Sequence, residues 1–65
     1  MIDITKNFLG NLPVGFKLYE DDDLLYLYFY NKRVAIFYSI GTTIEAIEKE
    51  AQRYLEEMKK EIKNT

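Results

Sequence analysis

The stretch Leu24-Leu25-Tyr26-Leu27-Tyr28-Phe29-Tyr30 decides the fold of this chain because its side chains alternate in character. Successive side chains of a β-strand point to opposite faces of its sheet. The stretch therefore predicts a strand with one largely aliphatic face and one phenolic face, formed by Leu25, Leu27 and Phe29 and by Tyr26, Tyr28 and Tyr30, respectively.

Turn-forming residues on both sides of this stretch predict two neighbouring strands, residues 16–20 and 33–40. A two-residue turn at 22–23 pairs Leu18 with Leu27, and one at 31–32 pairs Leu27 with Ile36. Directly opposite residues share a face of the sheet. The aliphatic face is thus predicted to gain Phe16, Leu18, Val34, Ile36 and Ile40, with Tyr38 at its margin, and the phenolic face Lys17, Tyr19, Arg33, Ala35 and Phe37.

Residues 42–63 are predicted to form one long helix. Thr42 and Glu45 fit a capping box, and no glycine or proline interrupts the segment. Apolar side chains recur at helical spacing and predict a buried stripe, made of Ile44, Ile47, Ala51, Tyr54, Leu55, Met58 and Ile62.

The remaining residues, 1–15, are predicted to form a short N-terminal helix or arm followed by a loop. The whole chain of 65 residues is then a single α+β domain with two layers. A three-stranded antiparallel meander, residues 16–40, packs on the C-terminal helix in the order α-β-β-β-α. A chain of this length buries only about 60% of the surface that its unfolded form exposes, so self-association is one way to stabilise it.

Composition narrows the classes of function. The chain has no histidine and no cysteine, so it lacks the commonest general base, the commonest soft nucleophile and the usual zinc ligands. The acidic run 20–23 lacks the spaced ligands of a calcium loop. We expect a protein without enzymatic activity, cofactor or metal site.

Charge and hydropathy bear on location and source. The formal net charge is −2, and no apolar run approaches the roughly 20 residues of a membrane span. We expect a cytoplasmic protein that does not bind a membrane. Many Glu and Lys residues, one Gln and no Cys favour a thermophilic source.

The phenolic face is the strongest candidate for a binding site. Tyrosine is enriched at protein interfaces because it is large, rigid and polar at its tip. Three interpretations stay open, namely a homodimer interface, a docking site for a different protein, and a partly hydrated face covered by the N-terminal arm. The predicted partner-binding residues are Tyr19, Tyr26, Tyr28, Tyr30 and Phe37.

Two secondary surfaces are also predicted. Residues 34–40 carry no charge or proline to protect them if they lie at the edge of the sheet. Such an edge pairs with its own copy across a two-fold axis, accepts a strand of another protein, or is covered by the N-terminal arm, and these interpretations stay open. The long helix is expected to extend beyond the sheet and leave its last apolar residues in need of cover. These secondary interface candidates are Val34, Ile36 and Tyr38 on the strand and Met58 and Ile62 on the helix.

The sequence thus predicts a small interaction protein that forms a homodimer or binds another protein. Proteins of this size and composition are typical of mobile elements and viruses, which is an analogy of fold and size alone. The alternative is a small nucleic-acid-binding regulator, since aromatic sheets stack bases. Against it, the start of the long helix carries Glu45, Glu48 and Glu50, which would repel phosphate.

Overall fold

A computed structural model of the protein describes residues 1–63, and the side chains of residues 1–60. The described residues form a four-stranded antiparallel sheet of strand order β1-β2-β3-β4 and one long C-terminal helix packed on it. The elements are β1 (Ile2–Asp3), a 3₁₀ turn (Thr5–Asn7), β2 (Phe16–Asp21), β3 (Leu24–Phe29), β4 (Lys32–Tyr38) and α1 (Ile44–Lys63). The predicted α+β class and C-terminal helix are confirmed, whereas the predicted count of three strands is wrong by one.

The additional strand comes from the N-terminal residues, which we expected to form a short helix or an arm. Ile2 and Asp3 pair with the outer edge of β2, and the Ile4 N–H donates to the Leu18 carbonyl at 2.9 Å. The Leu18 N–H in turn donates to the Thr5 hydroxyl at 2.9 Å. These bonds hold the arm extended, so the predicted helix is reduced to the single 3₁₀ turn that follows.

Asp3 fastens this arm and makes its anchoring dependent on pH. Its carboxylate accepts the Thr5 hydroxyl at 2.6 Å and the Thr5 N–H at 2.9 Å. Both bonds favour the charged form, the side-chain bond most strongly, and hold the pKa of Asp3 below its usual 3.8. The stabilisation is therefore complete above that value and is lost as the pH falls through the lowered pKa.

We expect the Thr5 amide resonance to titrate with a midpoint below 3.8 when the chain is followed by NMR between neutral and acid pH. Asp3→Asn keeps an acceptor oxygen but cannot titrate, so this variant should lack the transition. An Asp3 midpoint at or above the usual value would mean that the Thr5 contacts do not persist in solution.

The hairpin of β2 and β3 has the predicted register. Phe16 lies opposite Phe29 and Leu18 opposite Leu27. Asp22, the first residue of the connecting turn, has a positive φ of 54°, which aspartate tolerates and which tight hairpin turns require at this position. The agreement between side-chain alternation and turn chemistry explains why this part could be predicted.

The hairpin of β3 and β4 turns one residue earlier than predicted, so that Phe29 lies opposite Lys32. The turn consists of Tyr30 and Asn31 instead of Asn31 and Lys32. The Tyr30 N–H donates to the Gly15 carbonyl at 2.8 Å, which continues the pairing of β3 with β2, and Tyr30 itself takes a φ of 54°. The positive φ that we expected at Asn31 therefore falls on Tyr30.

A β-bulge then moves the register of β4 back by one residue, so that the net shift from the predicted pairing is one residue. Val34 is the extra residue, and beyond it Ala35 lies opposite Leu27 and Phe37 opposite Leu25. A shift by one residue exchanges the two faces of a strand. This part of the predicted register is therefore wrong. Ala35 and Phe37 lie on the helix side of the sheet, and Ile36 and Tyr38 lie on the opposite side.

The core lies between the sheet and α1. Its buried side chains come from the alternating positions of β2 and β3 and from the helix stripe, namely Phe16, Leu18, Leu25, Leu27, Ile47 and Ala51. The arm closes one side of this layer, because Ile4, Phe8 and Leu12 pack against it. The helix begins two residues later than predicted, since the Thr43 hydroxyl, and not that of Thr42, accepts the Ala46 N–H.

Candidate interaction surface

Three of the predicted tyrosines lie together on the sheet face that points away from α1, which we call the outer face. Tyr19 lies opposite Tyr26 on the neighbouring strand, and Tyr28 lies diagonally from Tyr19. The rings of Tyr19 and Tyr28 meet edge to face, with centroids 5.3 Å apart, a favoured geometry for aromatic pairs. All three side chains are half-buried, and the outer face thus carries a packed aromatic cluster.

Two cations border this cluster. Lys17 and Arg33 both lie opposite Tyr28, one on each neighbouring strand. The Arg33 guanidinium carbon lies 5.9 Å from the centroid of the Tyr26 ring, within range of a cation–π contact. The ring of Tyr26 therefore has a neighbour within its own chain, and the cations stand at the sides of the aromatic surface.

The apolar side chains of the N-terminal arm lie on the other side of the sheet from this cluster, and Asp3, which pairs opposite Tyr19, lies at the border of the outer face. The arm's apolar residues Ile4, Phe8 and Leu12 pack on the helix side, and a methyl group of Ile44 lies close to Gly10. The interpretation in which the arm covers the tyrosines is thus wrong. Because β2 binds the arm through its backbone, Ile4, Phe8 and Leu12 of the arm pack against the core and not on the outer face.

Tyr30 and Phe37 do not belong to the aromatic cluster, although the sequence predicted both in it. Tyr30 occupies the hairpin turn, where its ring lies 4.6 Å from that of Phe29 and beside Gly15. Phe37 packs against the core on the helix side because of the bulge at Val34. The place of Phe37 on the outer face is taken by Ile36 and Tyr38.

Strand β4 forms one edge of the described sheet, and its backbone polarity can be derived from one bond. The Ser39 N–H donates to the Asp23 carbonyl at 2.7 Å. In an antiparallel pair such bonds alternate along the strand, so Phe37 also directs its backbone groups toward β3. Ile36 and Tyr38 occupy the alternate positions of the strand and direct their N–H and C=O groups away from the sheet.

The same edge is apolar. Ile36, Tyr38 and Ile40 are 50%, 73% and 84% exposed, and residues 34–40 carry no charge. Natural edge strands are usually protected by charges, proline or a bulge. The bulge at Val34 protects the first half of β4. The second half presents backbone groups that have no partner among the described residues, beside exposed apolar side chains.

The remaining secondary candidates lie on the helix side of the molecule. Val34 is half-buried and borders an open groove together with Tyr54 of α1. Met58 is half-buried one turn further along the same helix face. The side chain of Ile62 lies outside the described residues.

Two exposed apolar residues of the loop around Pro13 were not predicted as surface features. Leu9 and Val14 are 88% and 89% exposed in the loop around Pro13. Single exposed apolar residues are common on protein surfaces, and no periodicity in this loop distinguishes a buried position from an exposed one.

The described part of the chain shows no cluster of three or more acidic side chains suited to hold a metal ion. Within the same residues, no helix combines the length and the apolar character needed to cross a bilayer. Comparison of the chain with protein-family models, with curated proteins and with solved structures finds no match.

Proposed function

We propose that this chain is a small non-enzymatic interaction protein that associates with a second copy of itself through its outer face and the adjoining edge of β4. The observation that carries this proposal is that the outer face and the edge of β4 form one continuous surface. Tyr26 of the aromatic cluster lies directly opposite Ile36 of β4, and Ile36 adjoins the exposed Tyr38 on the same face at the edge of the sheet. An exposed apolar patch bordered by polar groups is typical of an interaction site.

The size of the protein also supports self-association. Among the described side chains, six hydrophobic residues are buried, which is a small core for a domain that has no cysteine to form disulfides. Small domains of this kind commonly gain stability by oligomerisation. Its cytoplasmic location and thermophilic source stay predictions from composition.

Light scattering over a range of protein concentrations tests this function. We expect the mass to rise from that of one chain to that of two as concentration increases. Tyr38→Glu should hold the chain as a monomer, since it places a charge on the apolar edge, while helical circular dichroism stays unchanged. Leu9→Glu introduces the same charge at an apolar residue of the arm that is even more exposed than Tyr38, and this variant should dimerise normally.

Tyr28→Glu distinguishes the two parts of the surface. If this variant is monomeric and Tyr38→Glu is dimeric, the copies meet through the aromatic cluster and not at the edge. A wild-type chain that stays monomeric at every concentration would contradict self-association and would leave a different protein as the binding partner of this surface.

Nucleic-acid binding is the second candidate function, favoured by the position of Lys17 and Arg33 beside the tyrosines. Stacked bases with flanking cations are typical of single-strand binding sheets. Two cations provide little counterion release, so any binding should be weak. A gel shift with mixed DNA and RNA at low salt tests it, and the absence of a shift removes this candidate.

A further inference from the structure

We infer that the second copy binds by antiparallel pairing of β4 with β4 across a two-fold axis that passes beside Phe37, which joins the two sheets into one of eight strands. This inference rests on the proposed function and specifies its geometry. It follows from the outward backbone groups of the edge, from the absence of charge along residues 34–40 and from the area that the edge exposes.

The backbone groups determine the register. Ile36 and Tyr38 direct their N–H and C=O groups outward, so a partner strand must pair with these two residues. A two-fold axis at Phe37 places Ile36 of each copy opposite Tyr38 of the other. Each such pair exchanges two hydrogen bonds, and the two pairs satisfy all the outward groups of both residues.

The side chains fit the same arrangement. Directly opposite residues share a face, so Ile36 and Tyr38 of the two copies form one apolar row that continues both aromatic clusters. Phe37 meets its own copy on the helix side, where it already packs on the core. The bulge at Val34 confines regular pairing to the second half of the strand.

The charges favour this arrangement over stacking of the two outer faces. Two-fold symmetry places identical residues near one another, and residues 34–40 carry no charge that could repel its copy. Stacked outer faces would instead bury the exposed cations Lys17 and Arg33 of both chains, at a cost in desolvation. Pairing at the edge leaves both cations in water.

The exposed area predicts a weak dimer. Ile36, Tyr38 and Ile40 expose on the order of 400 Å² per copy, or about 800 Å² for two, which is below the roughly 1,200 Å² of standard stable interfaces. The four backbone bonds add to this, and we expect a dissociation constant in the micromolar range or weaker.

Single cysteines test the register, since the chain has none of its own. At the two-fold axis the Phe37 Cα atoms would lie about 4.5 Å apart, and those of Ile36 and Tyr38 of the other copy about 5.5 Å apart. Both distances allow a disulfide. Ile36 and its own copy, or Tyr38 and its own copy, would be diagonal neighbours about 7–8 Å apart, which is too far.

We therefore expect Phe37→Cys to form a linked dimer on mild oxidation, and Ile36→Cys and Tyr38→Cys to do so only when mixed with each other. On a non-reducing gel, the mixture of Ile36→Cys and Tyr38→Cys should give several fold more linked dimer than either variant alone. This mixture also keeps the test valid if Phe37→Cys does not fold, because Ile36 and Tyr38 are both exposed and their substitution leaves the core intact.

Tyr38→Pro provides a test without oxidation. Proline is tolerated on an edge strand where the N–H faces solvent, so the monomer should keep its fold while the dimer loses a bond at each copy of the residue. We expect the light-scattering mass to fall to one chain at concentrations where the wild type is dimeric.

The outcomes separate this inference from the proposed function. Linkage that is strongest for Ile36→Cys or Tyr38→Cys alone would overturn the register at Phe37. A dimeric wild type that none of these substitutions links or dissociates would overturn pairing at β4 and leave self-association intact. A monomeric wild type would contradict both.

Discussion

Replacement of Leu27 by alanine is expected to lower the free energy of unfolding by about 2–5 kcal/mol. Leu27 is 0% exposed, and it lies at the centre of the sheet between Leu18 of β2 and Ala35 of β4. The substitution removes buried apolar area and leaves a cavity that a small core cannot refill. A domain of this length is stable by about 3–10 kcal/mol, so the variant loses a large part of its stability.

Urea denaturation followed by circular dichroism measures this loss, at a concentration where wild type and variant are both monomeric. Ile40→Ala is the matched control, because it also shortens an aliphatic side chain but at a residue that is 84% exposed. Its stability should change by no more than about 0.5 kcal/mol. Equal losses in the two variants would mean that Leu27 does not lie at the centre of the core.

The helix and the first hairpin could be predicted because several independent signals agree there. The apolar stripe of α1 repeats over many turns, and the buried positions Ile47 and Ala51 are members of it. In the first hairpin, strand alternation and the aspartate turn give the same register, which places Leu18 opposite Leu27. Agreement between local and long-range signals is what makes a fold specific.

The face of β4 could not be predicted because both alternating sets of its residues are hydrophobic. Ala35 and Phe37 on one side and Ile36 and Tyr38 on the other are equally suited to a core. The predicted register therefore depended on the turn alone. The structure places this turn one residue earlier and adds a bulge that has no signal in the side chains. Weakly patterned strands are those in which register is least specified.

The arm was mispredicted for a different reason. Strand β1 has two residues, too few to show any alternation, and polar contacts of Thr5 and Asp3 hold the arm in place. The candidate site was predicted in part. Tyr19, Tyr26 and Tyr28 lie together as expected, while the membership of Phe37 followed from the incorrect register of β4.

Phe37→Lys and Ile36→Lys form the pair of variants that tests this corrected register. We expect Phe37→Lys to lower the free energy of unfolding by about 2–4 kcal/mol, because it removes an aromatic ring from the core and directs a cation toward it. Ile36→Lys places the same cation on the outer face at a half-exposed residue, and its stability should change by about 0.5 kcal/mol or less.

The comparison is made by urea denaturation at a concentration where both variants are monomeric, so that loss of the dimer does not contribute. The two substitutions are adjacent in sequence and introduce the same side chain, so strand propensity and net charge are nearly matched. They differ in the face to which the lysine points. The register predicted from the sequence places Ile36 in the core and Phe37 outside, and it requires the opposite order of stabilities. A larger loss for Ile36→Lys would therefore contradict the bulge at Val34 and, with it, the pairing of β4 inferred from the outward backbone groups of Ile36 and Tyr38.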